Sequence, residues 1–200
     1  MSRPTNVTRD KVLDVACRLF YSQGFNGTSV RDIAKAANVN VSLIHYYFKS
    51  KQGLFESLAV SYFEPYLEML ECELPSEEEY RLNELVKKIL HYKQSHYQLS
   101  CLLNRELTLN TTFAREMLVT YLAKENHLFT QILFQKKSHI EVTFKEKLCL
   151  LQLKGLLNAP FMMPHEFKDP FITEASLNHF VDMYSSLMND YPSVKVLAKA

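Results

Sequence analysis

The sequence predicts an all-α protein. Only 4 of its 200 residues are glycine. The alternation of apolar and polar residues that marks a half-buried strand is absent. Apolar residues instead recur at three- and four-residue steps almost throughout.

The elements can be justified in order. Thr8 is placed to cap a first helix, with Asp10 near its positive end and Val12, Leu13, Ala16, Leu19 and Phe20 on its apolar face. Gly24 is expected to end this helix and return Phe25 to the core. Thr28 or Ser29 caps a second helix carrying Val30, Ile33, Ala34 and Ala37. Asn38-Val39-Asn40 makes a turn, because asparagine tolerates unusual backbone angles. A third helix over 41–48 buries Val41 or Leu43, together with Ile44 and Phe48. Ser50 caps a fourth helix through Leu54, Phe55, Leu58, Tyr62 and Leu67, which Pro65 is expected to kink or break. The acidic stretch from Glu71 to Glu79 reads as a linker. Within it, Ser76 and Glu79 have capping-box spacing and open a helix through Leu82, Leu85, Val86 and Leu90. Helices over 97–108 and 112–137 follow. Thr143 and Glu146 repeat the capping box before a very apolar helix that Pro160 and Pro164 stop, and a last helix spans 172–189.

The net charge of +1 is uninformative, but its distribution is not. Residues 1–51 carry eight Lys or Arg against three Asp, while the remainder has an acidic excess. A basic head on an acidic body suggests a local polyanion site, although short segments also vary by a few charges. The four cysteines, Cys17, Cys72, Cys101 and Cys149, include no CxxC pair, so neither a zinc site nor a disulfide framework is expected. No apolar signal segment opens the chain, and no apolar run approaches the roughly 18 residues needed to span a bilayer. These features suggest a soluble cytoplasmic protein without membrane association.

Residues 28–51, TSVRDIAKAANVNVSLIHYYFKSK, carry the functional signal. They read as two short helices joined by a polar turn, with the start of another helix directly behind. The second short helix has an apolar inner face and an outer face holding Asn40, Ser42, His45 and Tyr46. Asn, Ser and His can hydrogen-bond base edges, and a tyrosine can reach a phosphate while its ring packs on sugar. Thr28 and Lys51 lie at helix starts, where free N–H groups favour an anion. Singly, each residue also has a structural role as cap or core. Together they fit a helix-turn-helix entering a DNA major groove.

Residues 8–56 resemble the DNA-binding domain of the TetR family of bacterial regulators, through Phe20 and GFNGTSVRDIAKAANVNVSLIHYYFKSKQGLF from Gly24 to Phe55. The resemblance implies an all-helical homodimer. Residues 1–56 would form the helix-turn-helix domain, and residues 57–200 a helical dimerisation and regulatory domain. By position, it implies phosphate contacts at Thr28, Tyr46 and Lys51 and groove-reading positions at Asn40, Val41, Ser42 and His45. Many members carry Lys-Gly where this chain has Val41-Ser42 and Tyr where it has His45, so no base preference transfers. A narrower resemblance rests on NVNVSLIHYYFKSK, YLAKENHLFTQ and LQLKGLLNAPFMMP. It is to a TetR-like DNA-binding protein of spore-forming Bacillus-type bacteria, and it implies nucleoid-associated control of cell division through the tubulin-like protein FtsZ.

The rest of the chain is less legible. Tyr92, His96, Tyr97, Phe113, Met117, Tyr121 and Phe129 either line a ligand pocket or form an aromatic core. His91 and His96 are five apart, which is poor spacing for a metal pair, so no metal or cofactor is expected. No nucleophile–base pair, phosphate loop or paired catalytic carboxylates are identifiable, which argues against an enzyme. Leu156 and Leu157 in the apolar helix, with Val181, Tyr184 and Met188 in the last, suit a four-helix dimer bundle or the core of one subunit equally well. The reading is a DNA-binding homodimer that controls cell division. The alternative is a transcriptional repressor released by a small-molecule effector.

Overall fold

The computed structural model describes residues 4–74, 82–109, 112–134, 142–162 and 174–188; the side chains of 4–6, 112–113, 174 and 184–188 lie outside it. The described residues form helices and no strands. These are α1 (Pro4–Gly27), α2 (Val30–Ala37), α3 (Val41–Phe48), α4 (Lys51–Cys72), α5 (Leu82–Ser95), α6 (Tyr97–Leu109), α7 (Thr112–Phe134), α8 (Phe144–Met162) and α9 (Glu174–Met188). None is long and apolar enough to cross a membrane. The expected capping pair Ser76–Glu79 and the aromatic side chain of Phe113 lie outside the described residues.

The chain divides into two compact units. The first comprises Met1–Glu64 and Gln98–Leu118. Its core forms where the apolar faces of α1 to α4 meet, with Val12, Ala16, Phe20, Ile33, Ile44, Leu54 and Phe55 essentially fully buried. Phe20, Phe25 and Phe55 form an aromatic cluster with ring centroids 5.3–6.0 Å apart. Gly24 breaks helical geometry at φ 81, ψ 160, as expected of the residue that turns Phe25 inward. In α6, the Arg105 guanidinium donates to the carbonyls of Phe20 and Tyr21, and Ser100 Oγ lies 3.0 Å from the Tyr62 hydroxyl. The two Arg105 bonds fix the end of α1 just before its break.

The second unit comprises Pro65–Tyr97 and Val119–Ala200. Here α5 packs against α8 and α9. Leu85, Val86, Ile89, Phe129, Ile132, Leu153, Leu157, Phe161, Leu177 and Val181 fill the core. A polar knot lies among them. Glu125 accepts from the Tyr66 hydroxyl at 2.9 Å and pairs with Lys154 at 2.6 Å. Lys93, only 5% exposed, donates to Asn158 at 2.9 Å and lies over the rings of Tyr66 and Phe161. The aromatic residues of this unit are largely engaged with one another. Tyr92 stacks on His96 at 4.4 Å and meets Tyr66 at 5.4 Å, Tyr97 meets Phe161, and Phe129 is fully buried.

The expected break at Pro65 does not occur, and Pro160 lies within the last turn of its helix rather than beyond it. α4 runs through Pro65 to Cys72, and α8 contains Pro160 before ending at Met162. The missing N–H costs each helix one bond. Beyond Pro65, the continued helix buries Tyr66, Leu67 and Leu70, and burial of three large side chains outweighs that loss. The capping box of α8 forms as expected: Thr143 donates its N–H and hydroxyl to Glu146 Oε2 at 2.7 and 2.8 Å.

The very apolar α8 has two distinct faces. Leu157, at 2% exposed, points into its own unit, and Val181 of α9 is fully buried there too. Leu156 is half-buried. Tyr184 and Met188 lie in α9, but their side chains are outside the described ones. Along the opposite face of α8, Phe144, Leu148, Leu151 and Met162 are exposed, and Met183 is exposed on α9. Gly155 sits in the same exposed row, with nothing among the described residues within 4 Å of where a Cβ would be.

Candidate nucleic-acid interface

Short helices do not hold themselves together, so caps decide how α2 and α3 are presented. Ser29, not Thr28, is the N-cap of α2. Its hydroxyl accepts from the Asp32 N–H while Asp32 accepts from the Ser29 N–H, a full capping box. Donation to the Asp32 carboxylate by the Ser29 hydroxyl, and then by the Ser29 N–H, holds the carboxyl below its ordinary pKa. Asn38 closes α2 in the left-handed conformation at φ 53, ψ 51, as its place in the turn leads one to expect. Asn40 then caps α3: its Oδ1 accepts from both the N–H and the hydroxyl of Ser42 at 2.9 Å. Ile44 and Phe48 anchor the inner face of α3, while Val41 is half-buried and Leu43 is 37% exposed.

The outer face follows from that anchoring. Asn40, Ser42, His45 and Tyr46 are all exposed, and Tyr46 at 76% protrudes furthest. The Tyr46 ring is braced edge-on against Tyr47 with centroids 5.1 Å apart. A ring held by a neighbour loses little freedom when its hydroxyl meets a phosphate.

Thr28 and Lys51 are placed differently. Thr28 is 1% exposed, and its hydroxyl donates to the carbonyls of Gly24 at 2.9 Å and Leu19 at 3.2 Å. Lys51 is half-buried, and its ammonium donates to the carbonyls of Phe25 at 2.9 Å and Thr28 at 3.1 Å. Both residues spend polar hydrogens on holding the α1–α2 turn. An ammonium has three hydrogens, so Lys51 keeps one for an external anion. Motif matching locates these two residues but does not reveal their internal bonds.

The start of α4 closes on the end of α3. The Gly53 N–H donates to Ser50 Oγ at 3.0 Å, so Ser50 caps α4 as expected. A Cβ at Gly53 would lie 2.1 Å from the Phe48 carbonyl oxygen. Sequence reasoning passed over Gly53; its signal is a glycine inside the first turn of a helix, where one is costly without a reason.

Residues 12–58 match the family described as bacterial regulatory proteins, tetR family. The chain is 38% identical over 182 residues, 88% of each sequence, to "Probable HTH-type transcriptional regulator YttP" of Bacillus subtilis (strain 168). It is 49% identical over 51 residues, 26% of this chain and 24% of the other, to the HTH-type transcriptional regulator AcrR of Shigella flexneri. A solved bacterial regulatory protein in the tetR family from Rhodococcus RHA1 shares the fold, with a TM-score of 0.71 over 96% of this chain and 98% of that one at 14% identity.

Proposed function

The chain belongs to the TetR family of DNA-binding transcriptional regulators, and from that premise we propose a homodimer that reads a two-fold operator through residues 8–56. Residues 57–200 would serve dimerisation and regulation. The exposed face of α3 carries this reading. Asn40, Val41, Ser42 and His45 face base edges, with Tyr46 and the remaining hydrogen of Lys51 on phosphates. Thr28 contributes by holding the turn beneath them. A two-fold dimer presents two such helices, so half-sites about one helical turn apart, roughly 34 Å, are required. Binding to a specific duplex against a scrambled one at several salt concentrations tests the reading. Equal affinity for both would sink it.

The dimer surface we propose is the exposed row of Phe144, Leu148, Leu151 and Met162 on α8 with Met183 on α9, rather than Leu157 and Val181, which fill their own subunit. Exposed apolar side chains at helical spacing along α8 suit cover by a second copy in a family that is typically dimeric.

For the biological role, we propose a nucleoid-associated, cytoplasmic protein that acts on cell division from a few chromosomal sites, in the manner of RefZ and with FtsZ as partner. Its support is the resemblance of YLAKENHLFTQ and LQLKGLLNAPFMMP. The mutual packing of Tyr66, Tyr92, His96, Tyr97 and Phe161 favours this over release by a small-molecule effector. Genome-wide mapping of bound sites, with light scattering of FtsZ assembly in the presence of the protein and its DNA, separates the two. Binding at one promoter with no effect on FtsZ would favour the ligand-released repressor.

A further inference from the structure

We infer that His45 reads its base as a hydrogen-bond acceptor, through Nε2, and therefore selects the exocyclic amine of an adenine or cytosine rather than a guanine. The inference rests on the DNA-binding reading above.

The geometry begins at the end of α3. Lys49 closes the helix at φ 66, ψ −48, a left-handed φ that residues with a Cβ rarely adopt. Its N–H donates to the His45 carbonyl at 3.0 Å. In this conformation its own carbonyl turns back to the His45 ring, with Nδ1 3.0 Å from the oxygen. A carbonyl oxygen has no hydrogen to give, so Nδ1 must be the donor and must carry the proton. A neutral imidazole carries one proton, which leaves Nε2 as a bare lone pair. That nitrogen has no protein partner among the described residues, and the side chain is exposed on the outer face of α3.

The major groove offers few partners to such a lone pair. Guanine presents N7 and O6, both acceptors, and thymine presents O4, also an acceptor. Only adenine N6 and cytosine N4 present hydrogens there. The cap next door points the same way. The Ser42 hydroxyl gives its hydrogen to Asn40 Oδ1, so its oxygen also faces outward as an acceptor. Two acceptors one helical turn apart suit a step rich in exocyclic amines.

The test uses the full-length protein and its bound duplex. A base-pair scan with wild type and His45→Ala first finds the position at which the variant loses discrimination. At that position, adenine is replaced by purine deoxyriboside, or cytosine by 2-pyrimidinone deoxyriboside, each lacking the amine. Wild type should lose roughly five- to tenfold in affinity per half-site, and His45→Ala should lose nothing further. Exchange of the purine of that base pair for its 7-deaza analogue, which lacks N7, should leave wild type unchanged. If the 7-deaza purine weakens wild type but not His45→Ala, His45 is donating to N7 and the inference is wrong. If no position depends on His45, it is wrong as well. Failure of wild type to prefer its duplex over a scrambled one would instead remove the operator reading. The base analogues act on the unaltered protein, so the result does not depend on how the variant folds.

Discussion

The ammonium of Lys51 lies 2.9 Å from the carbonyl oxygen of Phe25 and 4.5 Å from the centroid of the same residue's ring. One cation thus holds both the backbone and the side chain of the residue that re-enters the core after the break at Gly24. Lys51→Ala should therefore have two separable effects. Loss of its bonds to two carbonyls should lower stability by about 2 kcal/mol, read from urea unfolding. Loss of a phosphate contact should weaken binding to specific and scrambled duplexes alike and lower the salt slope by about one unit per subunit. An unchanged slope would mean that Lys51 is purely a strut. Tyr46→Phe provides the contrast: uniform weakening with the slope and the unfolding midpoint both unchanged.

The two faces of α8 predict opposite outcomes for the same chemical change. Leu151 is 69% exposed, so Leu151→Asp should leave the subunit folded and give monomer in sedimentation equilibrium. Leu157 is 2% exposed, so Leu157→Asp should cost roughly 4 kcal/mol or more and remove folded protein altogether. A normal dimer from Leu151→Asp would place the interface elsewhere.

Gly53→Ala should be severe although it adds a single methyl group. The new Cβ would meet the Phe48 carbonyl oxygen at 2.1 Å, and the obstacle is backbone. Relief requires α4 to move away from the end of α3, at about 2 kcal/mol or more. Thermal melting should show the loss, and DNA affinity should fall with it because Phe48 ends the recognition helix. A variant that melts like wild type would show that the α3–α4 corner yields.

Lys93 predicts a pH dependence. Burial lowers its pKa from the ordinary 10.5, and the Glu125 charge only partly offsets this. Between the lowered value and 10.5, unfolding takes up a proton, so the stability cost of the buried ammonium is complete below that window and is relieved as pH rises through it. The Cys17 and Cys149 thiols, each pushed up to about 11 by burial, act in the opposite sense, losing stability as pH rises past the ordinary thiol range. Both thiols remain in Lys93→Met. That variant should be more stable than wild type by about 1 kcal/mol near pH 7, and the difference should narrow toward about pH 10. A constant difference in urea midpoints would show that Lys93 keeps its ordinary protonation.

Much of the first unit was legible because its signals are local. The cap at Thr28 or Ser29, Asn38 in the turn and the Ser50 cap are read from residue type and place alone; their partners, Asp32 for Ser29 and Gly53 for Ser50, lie three positions on and are not read that way. A break at Pro65 is expected for the same reason: the local rule gives the cost of the missing bond, while the gain from Tyr66 and Leu70 depends on distant partners. Spacing found the apolar residues of α8 but could not say which face meets the subunit's own core, since Leu151 and Leu157 look alike in a helix with leucine on every side. At the candidate site, the exposed set from Asn40 to Tyr46 follows from periodicity. The bond between His45 and Lys49 does not, because it depends on the backbone angle of Lys49. Lys93 was missed for a related reason: a lysine in an amphipathic helix ordinarily reads as surface.

Gly155 weakens the helix that contains it. In mid-helix a glycine costs about 0.5–1 kcal/mol relative to alanine, and none of the described residues occupies the space an alanine would fill. An isolated subunit would be sturdier without it. What the bare backbone offers is close approach by another surface. Gly155→Ala should therefore raise the melting temperature of dilute protein while increasing the concentration at which subunits separate. Fold and assembly would then make opposite demands on this one position, and the native residue favours assembly.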